Sequence, residues 1–233
     1  DITSSGIKIW DVSSAGSAEW ANLPTDFFGE ALFLSERHLL ASGGGGGPWS
    51  GSVTLWDMEA APEAHRVWTI DRPAWYRDCC AFDLGASSDG ATLAVMYFER
   101  GTSVRDVATG AELFFVPADR PISIRPVDLS PDGRYLAVGT DRYRGVRFID
   151  RSGDEVGTTL REDGGFSIDR FRFAPDSRLI AIESHRGADR RVRIWDRQRG
   201  VVVTEIAVGF EDPPEQEYTI YGSTLAFDPS GRL

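Results

Sequence analysis

An all-β chain built from repeated four-stranded antiparallel units is the fold class this sequence predicts, and three observations predict it. First, a short alternating run closing on Asp recurs five times, as Ile7–Asp11, Val53–Asp57, Thr102–Asp106, Val146–Asp150 and Val192–Asp196. The closing aspartates stand at 11, 57, 106, 150 and 196, so the repeat is 44 to 49 residues long. Second, a strand–turn–strand run recurs between them. Third, no stretch carries helical periodicity, and seven Trp and thirteen Phe suit pleated, half-buried surfaces.

The four strands of a unit, a to d, follow in order. Strands a and b flank a tight turn, seen best in Leu129-Ser130-Pro131-Asp132-Gly133-Arg134-Tyr135-Leu136. Pro presets φ there, and Asp and Gly complete the reversal. Variants occur around Asp89-Gly90, Asp176-Ser177 and Pro229-Ser230-Gly231, with a weaker copy over 31–40. Strand c is the run closing on Asp. Strand d follows it, as in Gly200-Val201-Val202-Val203-Thr204-Glu205-Ile206. These boundaries place complete units at about 26–72, 73–118, 119–162 and 163–208, with half-units at about 1–25 and 217–233, all expected within one domain over 1–233.

Trp-Asp closes strand c in three copies: Trp10-Asp11, Trp56-Asp57 and Trp195-Asp196. Arg105 and Ile149 replace the Trp in the other two. Asp189, six residues before Trp195, matches a turn aspartate. This pattern resembles the WD-repeat family of β-propellers in a degenerate, bacterial form. The resemblance implies a β-propeller of four-stranded blades, with Trp10, Asp11, Trp56, Asp57, Asp189, Trp195 and Asp196 in structural positions. No Gly-His dipeptide occurs, so the hydrogen-bond network that pins a blade in this family is expected to be incomplete. The chain opens on strand c, begins with Asp1 rather than Met, and stops at Leu233 inside strand b. The expected parent is therefore a longer protein with a larger propeller, most naturally of seven blades. Pairing of the two half-blades would instead close a ring of five and remove sheet edges.

A net charge of −11 argues against nucleic acid or an anionic membrane as partner. No apolar run approaches the roughly 20 residues a spanning helix needs. Two adjacent cysteines, Cys79 and Cys80, form neither a disulfide framework nor a Cys-x-x-Cys site, and are expected to be reduced core residues of a cytoplasmic protein. The three histidines, His38, His65 and His185, fall in different units and lack metal-ligand spacing. No Gly-x-Ser-x-Gly elbow marks a hydrolase nucleophile. Strand a contributes Asp83 and Asp128 at comparable places, but the next positions are Arg172 and Ala226, so no carboxylate ring forms. The expectation is structural ion pairing; a propeller hydrolase or metal site using these carboxylates is the alternative.

The five glycines of Ala41-Ser42-Gly43-Gly44-Gly45-Gly46-Gly47-Pro48-Trp49-Ser50 lie between strands b and c of one unit. A phosphate loop would need Gly-Lys-Ser/Thr leading into a helix, and here another strand follows. The stretch reads as a long loop carrying Trp49. In WD-repeat propellers the b–c and d–a loops emerge on the same face, the usual docking face. Here those loops bring Trp49, Trp75, Tyr76, Arg142, Tyr143, Arg144 and Arg186, the last with His185, Arg190 and Arg191 in the same b–c loop, an aromatic and arginine set suited to protein contact. An acidic insertion over 210–218 lengthens one d–a loop. The expected function is a non-catalytic interaction or scaffold module, regulatory or sensory, with no cofactor and no metal. Its partner is another protein or a neighbouring domain of the same chain; the remaining alternative is an intramolecular lid over an effector domain.

Overall fold

The predicted runs become antiparallel strands in the computed structural model, which describes residues 6–11, 18–24, 31–34, 38–42, 53–58, 65–70, 81–97, 100–118, 126–140, 143–208, 225–227 and 230–231. A two-stranded sheet joins β1 (Gly6–Asp11) to β2 (Ala18–Pro24). Four four-stranded sheets follow in chain order. One comprises β3 (Ala31–Phe33), β4 (His38–Ser42), β5 (Val53–Asp57) and β6 (His65–Ile70). The next holds β7 (Ala81–Ala86), β8 (Thr92–Tyr97), β9 (Gly101–Asp106) and β10 (Glu112–Pro117). Then come β11 (Val127–Leu129), β12 (Tyr135–Gly139), β13 (Gly145–Asp150) and β14 (Leu160–Arg161). The last has β15 (Ser167–Phe173), β16 (Leu179–Arg186), β17 (Asp189–Asp196) and β18 (Val201–Val208). Each is a simple meander, so a–b and c–d turns gather at one end of a sheet and the b–c turn at the other.

The chain divides into two compact units, Asp1–Arg125 and Pro126–Leu233. In the first, one core joins neighbouring sheets through Val53, Leu55, Leu84, Leu93 and Val95. Trp68 of β6 adds a polar tie, its Nε1–H donating to the Val107 carbonyl after β9 at 2.8 Å. In the second unit the core holds Phe148, Leu160, Phe171, Phe173, Ile180 and Trp195. The Phe148 and Phe173 rings meet across the two sheets, 6.0 Å apart and tilted by 55°. Leu225 and Phe227, in the predicted innermost strand of the last half-unit, pack against Ala181, Val192 and Ile194 of the last sheet.

A register shift recurs where strand c meets strand d. It falls at Ile9/Trp10 in β1, Leu55/Trp56 in β5 and Ile194/Trp195 in β17. In the second four-stranded sheet it falls between Glu112 and Phe114, opposite Arg105 and Val104. Each shift leaves one strand-d residue without a partner, namely Trp20, Val67, Val203 and Leu113. A bulged residue is rotated out of the ladder, and Val67, Leu113 and Val203 are all exposed. Several exposed apolar side chains of the outer strands are thus products of the bulge.

Candidate functional site

The two ends of the sheets differ in what they are built to do. At the a–b and c–d end, the closing aspartates Asp106, Asp150 and Asp196 cap their own turns. Asp106 accepts the Thr109 N–H at 2.9 Å and its hydroxyl at 2.6 Å. Asp150 accepts the Ser152 N–H at 2.8 Å, and Asp196 the Arg199 N–H at 3.1 Å. The Thr109 hydroxyl holds Asp106 below the usual carboxylate range, the Ser152 hydroxyl does so for Asp150, and the Arg178 guanidinium does so for Asp196. The a–b turns are equally uniform. The Ser87 hydroxyl donates to Asp89 and the Ser130 hydroxyl to Asp132, both at 2.6 Å. Gly90 and Gly133 take positive φ at the reversal, and Ser177 occupies the same conformation at φ 57°. Its hydroxyl accepts the Asp132 N–H at 3.0 Å, stitching the turns of two adjacent sheets.

At the opposite end of the second unit, the segment after β14 meets the β16–β17 hairpin. The Glu162 side chain is fully buried and pairs with Arg191 and, at 3.2 Å, with Arg193. Asp163 binds the same two arginines at 2.8 and 3.0 Å, and their guanidiniums hold its carboxyl below the usual range. Glu205 of β18 receives Arg193 Nε at 2.6 Å. The Arg191 guanidinium lies 3.7 Å from the Phe166 ring centroid and that of Arg186 4.7 Å from it. Beside this group, His185 Nδ1 stands 2.7 Å from Asp169 Oδ1, and Arg190 pairs with Glu183 at 3.4 Å. Buried pairs of this kind contribute little net stability but fix geometry, because removing one partner strands the other.

The predicted site residues fall into distinct groups. Trp49, Trp75, Tyr76 and Arg142 lie outside the described residues, as do the glycine run and 210–218. Tyr143 and Arg144 are exposed between β12 and β13. Arg186 has 53 % of its side chain exposed but is tethered, bonding Asp189 and the Gly164 carbonyl, each at 3.0 Å. One expectation needs correcting. His185, Arg186, Arg190 and Arg191 are strand residues and not a loop: β16 and β17 run on to Arg186 and Asp189 and turn through Gly187-Ala188 alone. Long strands with cross-strand ion pairs outcompete a loop there, so Arg190 and Arg191 are buried partners and not free arms.

Among the residues placed in structural positions, Trp56, Trp195 and Asp196 are buried, Asp57 is half-buried, Trp10 is 50 % exposed and Asp11 ends β1. Asp189 is exposed and pairs with Arg186 at 3.0 Å. Trp56 and Trp195 have buried indole N–H groups with no partner among the described residues. Their cross-strand neighbours in register are Leu39 and Ile180, which offer no acceptor side chain. Besides Gly-His, then, a polar strand-b residue is missing opposite each Trp. Asp83 accepts the Leu84 N–H at 3.2 Å. Asp128 accepts the Phe173 N–H at 2.7 Å and lies 4.0 Å from Arg172, the neutralising neighbour the sequence suggested. Among the described residues no group of three His, Cys, Asp or Glu side chains could hold a metal ion, and no helix is long and apolar enough to cross a membrane.

No family model matches the chain. It is 28 % identical over 124 residues to an uncharacterized WD repeat-containing protein of Synechocystis sp., a match covering 53 % of this chain. The same match spans about a third, 34 %, of that relative's length. A strand closing on Trp-Asp in three of five copies, four-stranded antiparallel sheets with one sheet per repeat, and this relative agree in what the chain is similar to: WD repeat-containing proteins.

Proposed function

We propose that this chain is a non-catalytic protein-interaction module, its sheets arranged as propeller blades, acting as a scaffold or regulatory part of a larger bacterial cytoplasmic protein. The observation that carries this reading is the contrast between a fixed frame and what it presents. Glu162, Asp163, Arg191, Arg193 and Phe166 lock one end of the second unit, while Tyr143, Arg144 and Arg186 stand exposed at that end. Aromatic and arginine side chains on a rigid support suit a protein-binding surface, since little freedom is lost when they are covered. The engagement of Asp83 and Asp128 with backbone N–H groups supports a structural role for both carboxylates.

Affinity capture with the tagged chain tests this, comparing the parent sequence with an Arg144→Glu/Arg186→Glu variant. A partner recovered by the former and lost from the latter, with unchanged circular dichroism, is the expected result. An unchanged captured set, or hydrolase turnover abolished by Asp83→Asn or Asp128→Asn, overturns the reading.

A further inference from the structure

We propose that β18 is a dimerisation edge: it pairs antiparallel with β18 of a second copy of this chain, joining the two last sheets into one continuous sheet. The contact lies on the outer strand and goes beyond the interaction reading above, on which it does not depend.

β18 ends its sheet and is bonded along one side, to β17. Among the described residues, none from Val201 to Ala207 bonds a residue outside β17. The outward N–H and C=O groups of the strand therefore form an open template for another strand.

The other outer strands carry features that discourage such pairing. β14 is only two residues long. β10 opens on Glu112 and ends in Pro117, which has no N–H to donate. β6 opens on His65-Arg66, with Arg66 exposed. In contrast, β18 runs for eight residues without Pro, Lys or Arg. Its Val201, Val202, Val203 and Ile206 are between 38 and 56 % exposed. The single charge, on Glu205, is drawn back over its own sheet by Arg193 Nε at 2.6 Å, with Arg191 at 3.9 Å.

The same strand supplies the occupant. A match for this edge must be extended, rich in β-branched side chains and free of unpaired charge, and β18 itself has that composition. A two-fold contact needs one such surface only. Two features set the register. The bulge takes Val203 out of the ladder, which leaves Thr204–Val208 as the regular run. A two-fold axis at Glu205 would oppose two carboxylates, which is unfavourable. An axis at Ile206 instead sets Ile206 against Ile206, Glu205 against Ala207 and Thr204 against Val208.

Sedimentation velocity over a concentration series tests the proposal. A reversible monomer–dimer equilibrium is expected, with a Kd on the order of 10 μM for so small a contact. It should be no weaker at high salt, because screening relieves the repulsion between two acidic chains. Ile206→Lys brings like charges together at the axis and should weaken the dimer by about tenfold or more. Leu113→Lys, an exposed residue of the β10 edge, should leave it within about twofold. Should Ile206→Lys not fold, Thr204→Lys takes its place. The register is read by cross-linking in a Cys79→Ser/Cys80→Ser background. Mild oxidation should link Ile206→Cys into a dimer, since opposed Cα atoms lie about 4.5–5.5 Å apart. Val201→Cys should not link, its copies standing about 30 Å apart along the strands. A chain that is monomeric at every concentration, equal weakening by Leu113→Lys, or linking of Val201→Cys in preference to Ile206→Cys overturns the proposal. So does a β18 edge that becomes protected only when a different protein is added.

Discussion

Arg178 joins the two turns at one end of the last sheet: its Nε donates to Asp196 Oδ2 at 3.1 Å, while the Asp196 side chain is almost wholly buried. The pair binds the a–b turn to the aspartate that closes strand c. A backbone bond from Arg197 N–H to the Arg178 carbonyl, at 3.1 Å, runs beside it. The second four-stranded sheet repeats that backbone tie, from the Val107 N–H to the Ala91 carbonyl at 2.9 Å. The repeat's final Asp is thus a turn lock, which explains why it persists where the Trp before it does not.

A pH dependence follows from that lock. Hydrogen bonding from Arg178 keeps the Asp196 carboxyl below its ordinary range, as Ser152 does for Asp150 and Thr109 for Asp106. A folded-state value below the unfolded one, about 3.9, stabilises the protein fully above that pH. The contribution is lost as pH falls through the folded value. Thermal unfolding followed from pH 7 down to strong acid should show Asp196→Asn less stable at neutral pH and less sensitive to acid. Parallel curves for the two proteins would contradict the assignment.

Ser177 sets two effects against each other. Its hydroxyl accepts the Asp132 N–H, and its backbone takes φ 57°. Ser177→Ala loses the bond and keeps the strain, costing about 1–2 kcal/mol. Ser177→Gly loses the bond but relieves the strain, and should be less destabilising than Ala by about 1 kcal/mol. Urea denaturation orders them; Ala as stable as the parent would show that the bond does not form.

The tryptophans divide contrary to what the family pattern suggests. Trp68, outside the Trp-Asp pattern, makes an indole hydrogen bond, whereas Trp195 and Trp56 bury theirs without a partner among the described residues. Trp68→Phe should therefore cost about 1 kcal/mol beyond its lost packing area. Trp195→Phe removes an unsatisfied donor, so part of its packing loss is offset. Comparable midpoint losses for the two would argue against this division.

The closing aspartates, the Asp-Gly turns and the alternating runs were enough to place the strands of every described sheet, because turn chemistry and period-two burial are local properties. The bulge opposite each strand-c aromatic was not legible. It depends on how strand d is paired, which leaves Val67, Leu113 and Val203 out of the ladder. At the candidate site, Tyr143 and Arg144 were visible as a polar aromatic run after Gly139-Thr140. The ion-paired frame was hidden, as the bulge was. Arg190 and Arg191 look like loop cations in the sequence, and only the extended β16–β17 hairpin brings Arg191 to Glu162, which lies 29 residues away.

Hydrogen exchange of the chain with and without its captured partner tests the central claim most directly. The account predicts new protection at 143–145, 160–166 and 185–190, with the a–b and c–d turns at 131–134, 151–154 and 197–200 unchanged. Protection confined to those turns, or no change at 143–145 and 185–190 on saturation with partner, would contradict it.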